Sequence, residues 1–221
     1  MFSVAIDGPA GAGKSSIAKA VAKELGVIYV DTGALYRAIA LGCIKMNIPV
    51  ENETAVSTVL EKIRIELVFV EGTQHVLLNG KDVSEEIRTE KVSMSASTVS
   101  GIPQVRAFLL ELQRGFAKTQ NVIMDGRDIG TVVLPDAQVK IFLTPSAQGR
   151  AMRRTLQLEQ KGEPADYEKI LEDIIKRDHN DSTREIAPLK PAEDSIIVDT
   201  TDLDLEQSVN KIKELIKRRM K

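Results

Sequence analysis

Gly8-Pro9-Ala10-Gly11-Ala12-Gly13-Lys14-Ser15 is a complete G-x-x-x-x-G-K-S stretch, set between the apolar run Phe2 to Ile6 and the helix-like segment Ser16 to Leu25. Its three glycines let the chain curl until successive backbone N–H groups face inward on phosphate oxygens. Lys14 then bridges the outer phosphates, and Ser15 offers its hydroxyl to Mg2+. A buried strand before and a helix after are the context this loop requires, so the stretch reads as a nucleoside triphosphate site. The competing reading is a glycine-rich turn that happens to precede a lysine. Spacing, residue types and flanking periods all disfavour it.

Working outward, short apolar runs bounded by turns recur at Val4 to Ile6, Val27 to Val30, Val122 to Met124, Val139 to Leu143 and Ile196 to Val198. They lack strict alternation, as strands covered on both faces do. Helical periods separate them at Ser15 to Leu25, Ala34 to Met46, Val105 to Thr119, Ala147 to Gln160, Tyr167 to Asn180 and Leu205 to Arg219. The alternation predicts an α/β fold, a sheet of about five parallel strands layered between helices. One segment breaks the rhythm: Leu67 to Val70 and His75 to Leu78 read as two strands around the turn Glu71-Gly72-Thr73-Gln74. Asn79-Gly80 follows as a second turn, with a short strand at Lys81 to Val83. This is an antiparallel β insert in a subdomain spanning roughly residues 36–100. Lys161-Gly162-Glu163-Pro164 interrupts two helical patterns and, with the arginines on its flank, reads as a lid; an ordinary solvated loop is the alternative.

The 221 residues, 43% of them apolar, suit one such domain. With 30 Lys and Arg against 32 Asp and Glu, bulk composition shows no electrostatic footprint for nucleic acid or an anionic membrane. A lone Cys43 excludes an internal disulfide, and no leader or membrane-length apolar run is visible, so a reducing cytoplasm is expected. Two histidines and one cysteine make a structural zinc site or a Cys/His nucleophile pair a poor fit. The expected metal is Mg2+ arriving with the nucleotide. Nothing in the chain demands a partner subunit, so a monomer is expected.

Phosphoryl transfer asks a protein to align donor and acceptor, exclude water and neutralise the charge spread over the moving group. Converging cations do this, and the chain supplies candidates. Arg150, Arg153 and Arg154 share one helix face before the lid, Arg177 and Arg184 flank the end of the next helix, and Arg37, Arg106 and Arg127 follow other apolar segments. The bland alternative is exposed salt bridging, worth about 0–1 kcal/mol per pair. Asn121 to Met124 is a buried-strand run ending at Asp125, a carboxylate placed to reach Mg2+ directly or through water, or else to cap the next turn. Asp31-Thr32 leaves a strand and enters a helix, where either residue can cap and where open α/β sheets bind ligands. A GTPase would show N-K-x-D and a D-x-x-G switch, and neither stands in the expected place.

These stretches resemble the nucleoside monophosphate kinases, and within them the bacterial cytidylate kinase family nearly end to end. The resemblance rests on Ile6 to Ser15, on Asp31-Thr32-Gly33-Ala34-Leu35-Tyr36-Arg37, on Asp82 to Arg88, on Pro103 to Arg106, on Asp125-Gly126-Arg127-Asp128-Ile129-Gly130-Thr131, and on Arg177-Asp178 through Arg184 to Leu189. It implies a three-layer P-loop kinase fold with a core at about 1–35, 101–150 and 185–221, a monophosphate-binding subdomain at 36–100 and a lid at 151–184. It implies transfer of phosphate from ATP, with Mg2+, to CMP and dCMP, with release of ADP. Gly8, Pro9, Ala10, Gly11, Ala12, Gly13, Lys14, Ser15 and Ser16 would hold the donor, Arg150 would lie near adenine, and Arg154 near the transferring phosphates. Ser15 and Asp125 would meet the metal. Arg37 and Arg127 would hold the acceptor phosphate beside Thr32; Ser97, Arg106, Asp128 and Arg184 would bond cytosine, and Arg177 and Asp181 the sugar hydroxyls. Lys14, Arg127, Arg150 and Arg154 would stabilise the transition state. Two other readings share the donor loop: a related small-molecule kinase with a different acceptor, and a nucleotide-binding switch.

Overall fold

The strands of the main sheet alternate with helices or helical turns, and the junctions between them carry charged residues such as Asp7, Lys14, Asp31 and Arg127. A computed structural model describes residues 1–220. In chain order it contains β1 (Ser3–Asp7), α1 (Lys14–Leu25), β2 (Ile28–Asp31), α2 (Thr32–Lys45), α3 (Glu53–Leu60), β3 (Ile65–Val70), β4 (Thr73–Leu78) and β5 (Lys81–Asp82). Then follow α4 (Glu90–Val99), α5 (Pro103–Thr119), β6 (Val122–Gly126), β7 (Val139–Leu143), α6 (Ala147–Gln160), α7 (Tyr167–Thr183), β8 (Ile196–Val198) and α8 (Leu205–Arg219). A 3₁₀ turn at Glu86–Arg88 and a π turn at Ile129–Val133 complete the path. The five-stranded sheet has the order β2-β6-β1-β7-β8, and the second sheet the order β3-β4-β5. In the first, β7 lies parallel to both β1 and β8, with Ile6 opposite Ile141 and Phe142 opposite Ile197. The expected layered α/β fold with its antiparallel insert is what the chain adopts.

The chain divides into two compact units. One comprises residues 28–122 with residue 1; the other comprises residues 2–27 and 123 onward. In the first, the apolar faces of α2, α3, α4 and α5 share a core with the insert, built on Leu35, Ile39, Val56, Val76, Val99 and Leu109. Two tight reversals shape the insert. Glu71 and Gly72, then Asn79 and Gly80, all have positive φ, between 50° and 79°, the conformation of two-residue hairpin loops whose twist matches the strands. The first reversal is therefore shorter than the sequence suggests, and Thr73 and Gln74 belong to β4 rather than to the turn. In the second unit, β1, β6 and β7 are buried along most of their length, and Ile17, Val21, Ile212 and Ile216 of α1 and α8 are buried apolar residues. Gly8 cannot carry a side chain, since a Cβ there would stand 2.7 Å from the Leu143 carbonyl oxygen.

Helices α3 and α4 were not legible as periodic runs. Both are short and present few apolar residues inward, Val56 and Val59 in one and Val92, Ala96 and Val99 in the other. Their caps are the available signal: the Asn52 side chain accepts from the Ala55 N–H, and the Thr89 hydroxyl from the Val92 N–H.

Candidate functional site

In the second unit, β1 runs straight into the glycine loop and α1 begins at Lys14. Gly11 and Gly13 have φ of 70° and 80°, left-handed positions that glycine takes without strain and that aim consecutive amides at one point. Gly13 stands as the residue before α1 with no side-chain cap, so the first N–H groups of the helix have no side-chain acceptor from that residue. Lys14 is 6% exposed and its Nζ donates to the Pro9 carbonyl at 2.7 Å. Burial, then the nearby Arg127 guanidinium, push this ammonium down to about 7, against Asp125, Asp7 and Asp181. An anion in the loop would raise it again.

The Ser15 hydroxyl donates to Asp125 at 2.9 Å, joining the loop to the end of β6. Two hard oxygen donors side by side at a phosphate loop suit Mg2+, which keeps several waters and takes the rest of its ligands from phosphate. Among the described residues no group of three His, Cys, Asp or Glu side chains is arranged to hold a metal by itself.

Arg150 of α6 is 4% exposed and held at each guanidinium nitrogen by the protein. Its Nε donates to the Pro145 carbonyl at 3.2 Å, its Nη1 to the Ala10 carbonyl at 2.8 Å, and Nη1 and Nη2 together grip the Asp178 carboxylate of α7. The arginine thus braces the glycine loop against two helices. Arg154 is exposed, while Arg153 donates its Nε to the Gly149 carbonyl and keeps a buried Nη2 without a partner among the described residues. Burial and then Arg150 lower the pKa of Arg153. The lid candidate is the exposed stretch Lys161 to Pro164 between α6 and α7.

Beyond β6, Arg127 donates its Nε to Asp181 at 2.7 Å, which sets the plane of its guanidinium. Asp128 is 5% exposed and meets Arg184 at 3.5 Å, and Arg184 also donates from Nε to the Ala187 carbonyl at 2.7 Å. Helix α7 carries Arg177 and ends one residue before Arg184. Asp7 holds this region from below. Its carboxylate accepts the Ile129 and Gly130 N–H groups at 2.8 and 2.7 Å, the two residues after Asp128. Burial pushes its pKa up to about 7, against the pull of those two amides. The structure thus brings Lys14, Ser15, Asp125, Arg127, Asp128, Arg150, Arg177, Asp181 and Arg184 into one unit. Asp7 and Asp178 were not singled out from the sequence, because their partners lie 122 and 28 positions away.

The first unit holds the remaining candidates. Asp31 caps α2 through the Ala34 N–H at 3.0 Å and pairs with Arg37 at 2.7 Å, while Thr32 is buried in the first turn. A Cβ on Gly33 would lie 3.0 Å from Arg37 Nη1, so the absence of a side chain there lets the guanidinium lie back across that turn. Arg37 Nε is buried without a hydrogen-bond partner among the described residues. A buried donor left unsatisfied is costly unless a water or a ligand completes it. Arg106, at the start of α5, donates to the Ser100 carbonyl at 3.2 Å and stacks 5.8 Å from the centre of the Tyr36 ring. Ser97 lies in the last turn of α4, half-buried.

A parallel sheet whose first strand opens into a G-x-x-x-x-G-K-S loop, with the loop lysine buried and a strand-end aspartate on the loop serine, defines a P-loop nucleotide-binding protein. An Eubacterium ventriosum structure titled as an uncharacterized protein matches the chain with a TM-score of 0.52 at 12% identity, covering 98% of each chain, a likeness of fold alone. The cytidylate kinase family model matches residues 4–218. A cytidylate kinase from Caldicellulosiruptor saccharolyticus is 53% identical over 97% of this chain and 95% of its own length. Another from Carboxydothermus hydrogenoformans is 50% identical over 98% and 97%. The chain belongs to the cytidylate kinase family.

Proposed function

We infer that this chain transfers the terminal phosphoryl group of ATP to the phosphate of CMP, and of dCMP, giving the diphosphate and ADP by one in-line displacement. Membership of the family supports the reaction, and the observation that carries the assignment of residues is the set of groups gathered at the glycine loop: Lys14 buried with its pKa pushed down, Ser15 bonded to Asp125, and Arg150 bonded to the Ala10 carbonyl. The acceptor phosphate is already a competent nucleophile, so the reaction needs no general base and no covalent enzyme intermediate. The residues must position the two phosphates and oppose the charge that spreads between them.

On the donor side, backbone N–H groups between Ala10 and Ser16 cradle the triphosphate, Gly8 and Pro9 shape the turn, and Lys14 spans the outer phosphate oxygens. Ser15 and Asp125 would hold Mg2+, which neutralises charge on the donor phosphates. Arg154 faces the transferring group from α6, and Arg150, braced on Ala10, fixes the loop that carries the donor and flanks its base. On the acceptor side, Arg37 and Arg127 take the monophosphate beside Thr32. Cytosine offers an N4 amino donor with N3 and O2 acceptors; a buried carboxylate such as Asp128 accepts from the amino group, while Arg106, Arg184 and Ser97 supply the complementary bonds. Uracil reverses two of these positions and would leave buried groups mismatched, at a cost of about 1–3 kcal/mol each. Arg177 and Asp181 serve the sugar hydroxyls. In this reading residues 36–100 form the monophosphate-binding part and 151–184 the lid of a monomeric cytoplasmic enzyme.

The test is ADP formation from Mg-ATP with CMP, dCMP, UMP, AMP, GMP and shikimate offered separately at equal concentration. Dominance of CMP and dCMP is expected. Turnover of a different acceptor would keep the donor site and overturn the base-reading residues, and no turnover with any of the six would favour a nucleotide-binding switch.

A further inference from the structure

Strand β2 is an outer strand of the five-stranded sheet, and its last residue, Asp31, is the anchor for Arg37. An outer strand leaves peptide groups without ladder partners. At Asp31 both are taken by one side chain. Gln74 Oε1 accepts the Asp31 N–H at 2.9 Å, and Gln74 Nε2 donates to the Asp31 carbonyl at 3.3 Å. Only a side-chain amide carries both an acceptor and a donor in the geometry of a peptide, so Gln74 acts as one residue's worth of an added strand. It stands opposite Phe69 on the insert hairpin. Residues directly opposite in an antiparallel pair share a face, and on that face Phe69 meets the Phe116 ring of α5 edge-on at 6.0 Å. The hairpin is therefore seated by an aromatic contact on one element and by a two-pronged amide bond on another.

The same residue thus has its backbone gripped by the insert while its side chain performs two tasks, capping α2 through Ala34 and holding Arg37. Tilting the Asp31 peptide would move that carboxylate and swing the guanidinium it orients. We propose that Gln74 is a positioning residue for Arg37, through which the β insert sets the geometry of the acceptor-phosphate arginine. The inference rests on the reading of Arg37 as an acceptor-phosphate ligand, and it gives the insert a task in substrate binding rather than in stability alone.

The experiment compares Gln74→Met, which keeps the length of the side chain and removes both hydrogen bonds, with the wild type, each alone and combined with Arg37→Ala. With Gln74→Met we expect KM for CMP to rise about 10-fold, the low end of the roughly 10- to 100-fold loss that follows when a partner orienting a ligating side chain is removed from a metal site. KM for ATP should stay within about twofold and the melting temperature nearly unchanged, because the hairpin keeps its aromatic contact. In the Arg37→Ala background the same change should alter KM for CMP by less than about twofold, since residues acting through one another are not additive. An unchanged KM for CMP in Gln74→Met overturns the proposal. So does an equal rise in both KM values with a lowered melting temperature, which is a structural role only, or an undiminished effect in the Arg37→Ala background. Should the wild type turn over no CMP, the preceding functional reading falls. The link itself is then judged by amide hydrogen exchange at Asp31, where faster exchange in Gln74→Met upholds the anchor and equal exchange overturns it.

Discussion

Lys14 shows how a single buried group ties stability to function. Its ammonium is desolvated in the glycine loop, with the Pro9 carbonyl as its hydrogen-bond acceptor, and sits near 7 rather than near 10.5. We expect Lys14→Ala to retain the fold and to lower kcat by about two to three orders of magnitude, as removal of a preorganised charge stabiliser does; a nearly unchanged kcat in steady-state assays would refute the loop mechanism. Asp128→Ala is expected to reduce the preference for CMP over UMP by about tenfold, read as the ratio of the two kcat/KM values, since the loss of one buried matched bond is worth about 1–3 kcal/mol. Asp7 makes the pH prediction. Burial raises its pKa from 3.8 to about 7, so between those values the folded state binds a proton that the unfolded state does not. Its contribution is therefore greatest at low pH and is lost as pH rises through 7, a change of about 2 kcal/mol between pH 5 and 7.5. Thermal unfolding across that range should show a shallower decline for Asp7→Asn than for the wild type.

At the level of elements, helix α7 holds two arginines from other elements. Asp178 grips Arg150 of α6, and Asp181, three residues on, grips Arg127 beyond β6. Removing a partner from a buried arginine leaves its charge uncompensated. Because Asp178 is a quarter exposed, the cost of Asp178→Ala is expected at about 2 kcal/mol rather than at the full value for a deeply buried pair. Denaturant unfolding measures it, and KM for ATP should rise with it, since Arg150 also supports the Ala10 carbonyl of the loop. The elements differ in how visible they were. The run from β1 through the loop to α1 is legible because its instructions are local: apolar residues, then glycines at fixed spacing, then a helical period. The Asn79-Gly80 reversal was legible for the same reason. The loop at Glu71-Gly72 was read two residues too long, because a non-glycine residue with positive φ at Glu71 leaves no mark in composition. Gln74 was thereby hidden in a turn, although it pairs with Asp31 across 43 positions.

At the scale of the whole molecule, each of the two units has buried apolar residues and charged candidates of its own, with Arg37 in one and Lys14 in the other, so one variant in each can be tested separately. Ligands that bind only the folded state stabilise it by mass action, about 2.7 kcal/mol at a concentration 100 times Kd. We expect Arg37→Ala to abolish the rise in melting temperature caused by CMP while keeping that caused by Mg-ATP, and Lys14→Ala to do the reverse; differential scanning fluorimetry reads both. No described helix is long and apolar enough to cross a membrane. What the sequence alone determined is the alternation of strand and helix, the glycine loop and the list of arginines, because periodicity, backbone freedom and motif spacing act over a few neighbouring residues. What only the tertiary structure decided is the state of each of those charges: Lys14 desolvated, Arg150 braced on Ala10 and Asp178, Arg127 oriented by Asp181, and Arg37 set by an aspartate that Gln74 holds by its backbone. Those states depend on burial and on partners brought together from distant parts of the chain, and neither is written in any local stretch of sequence.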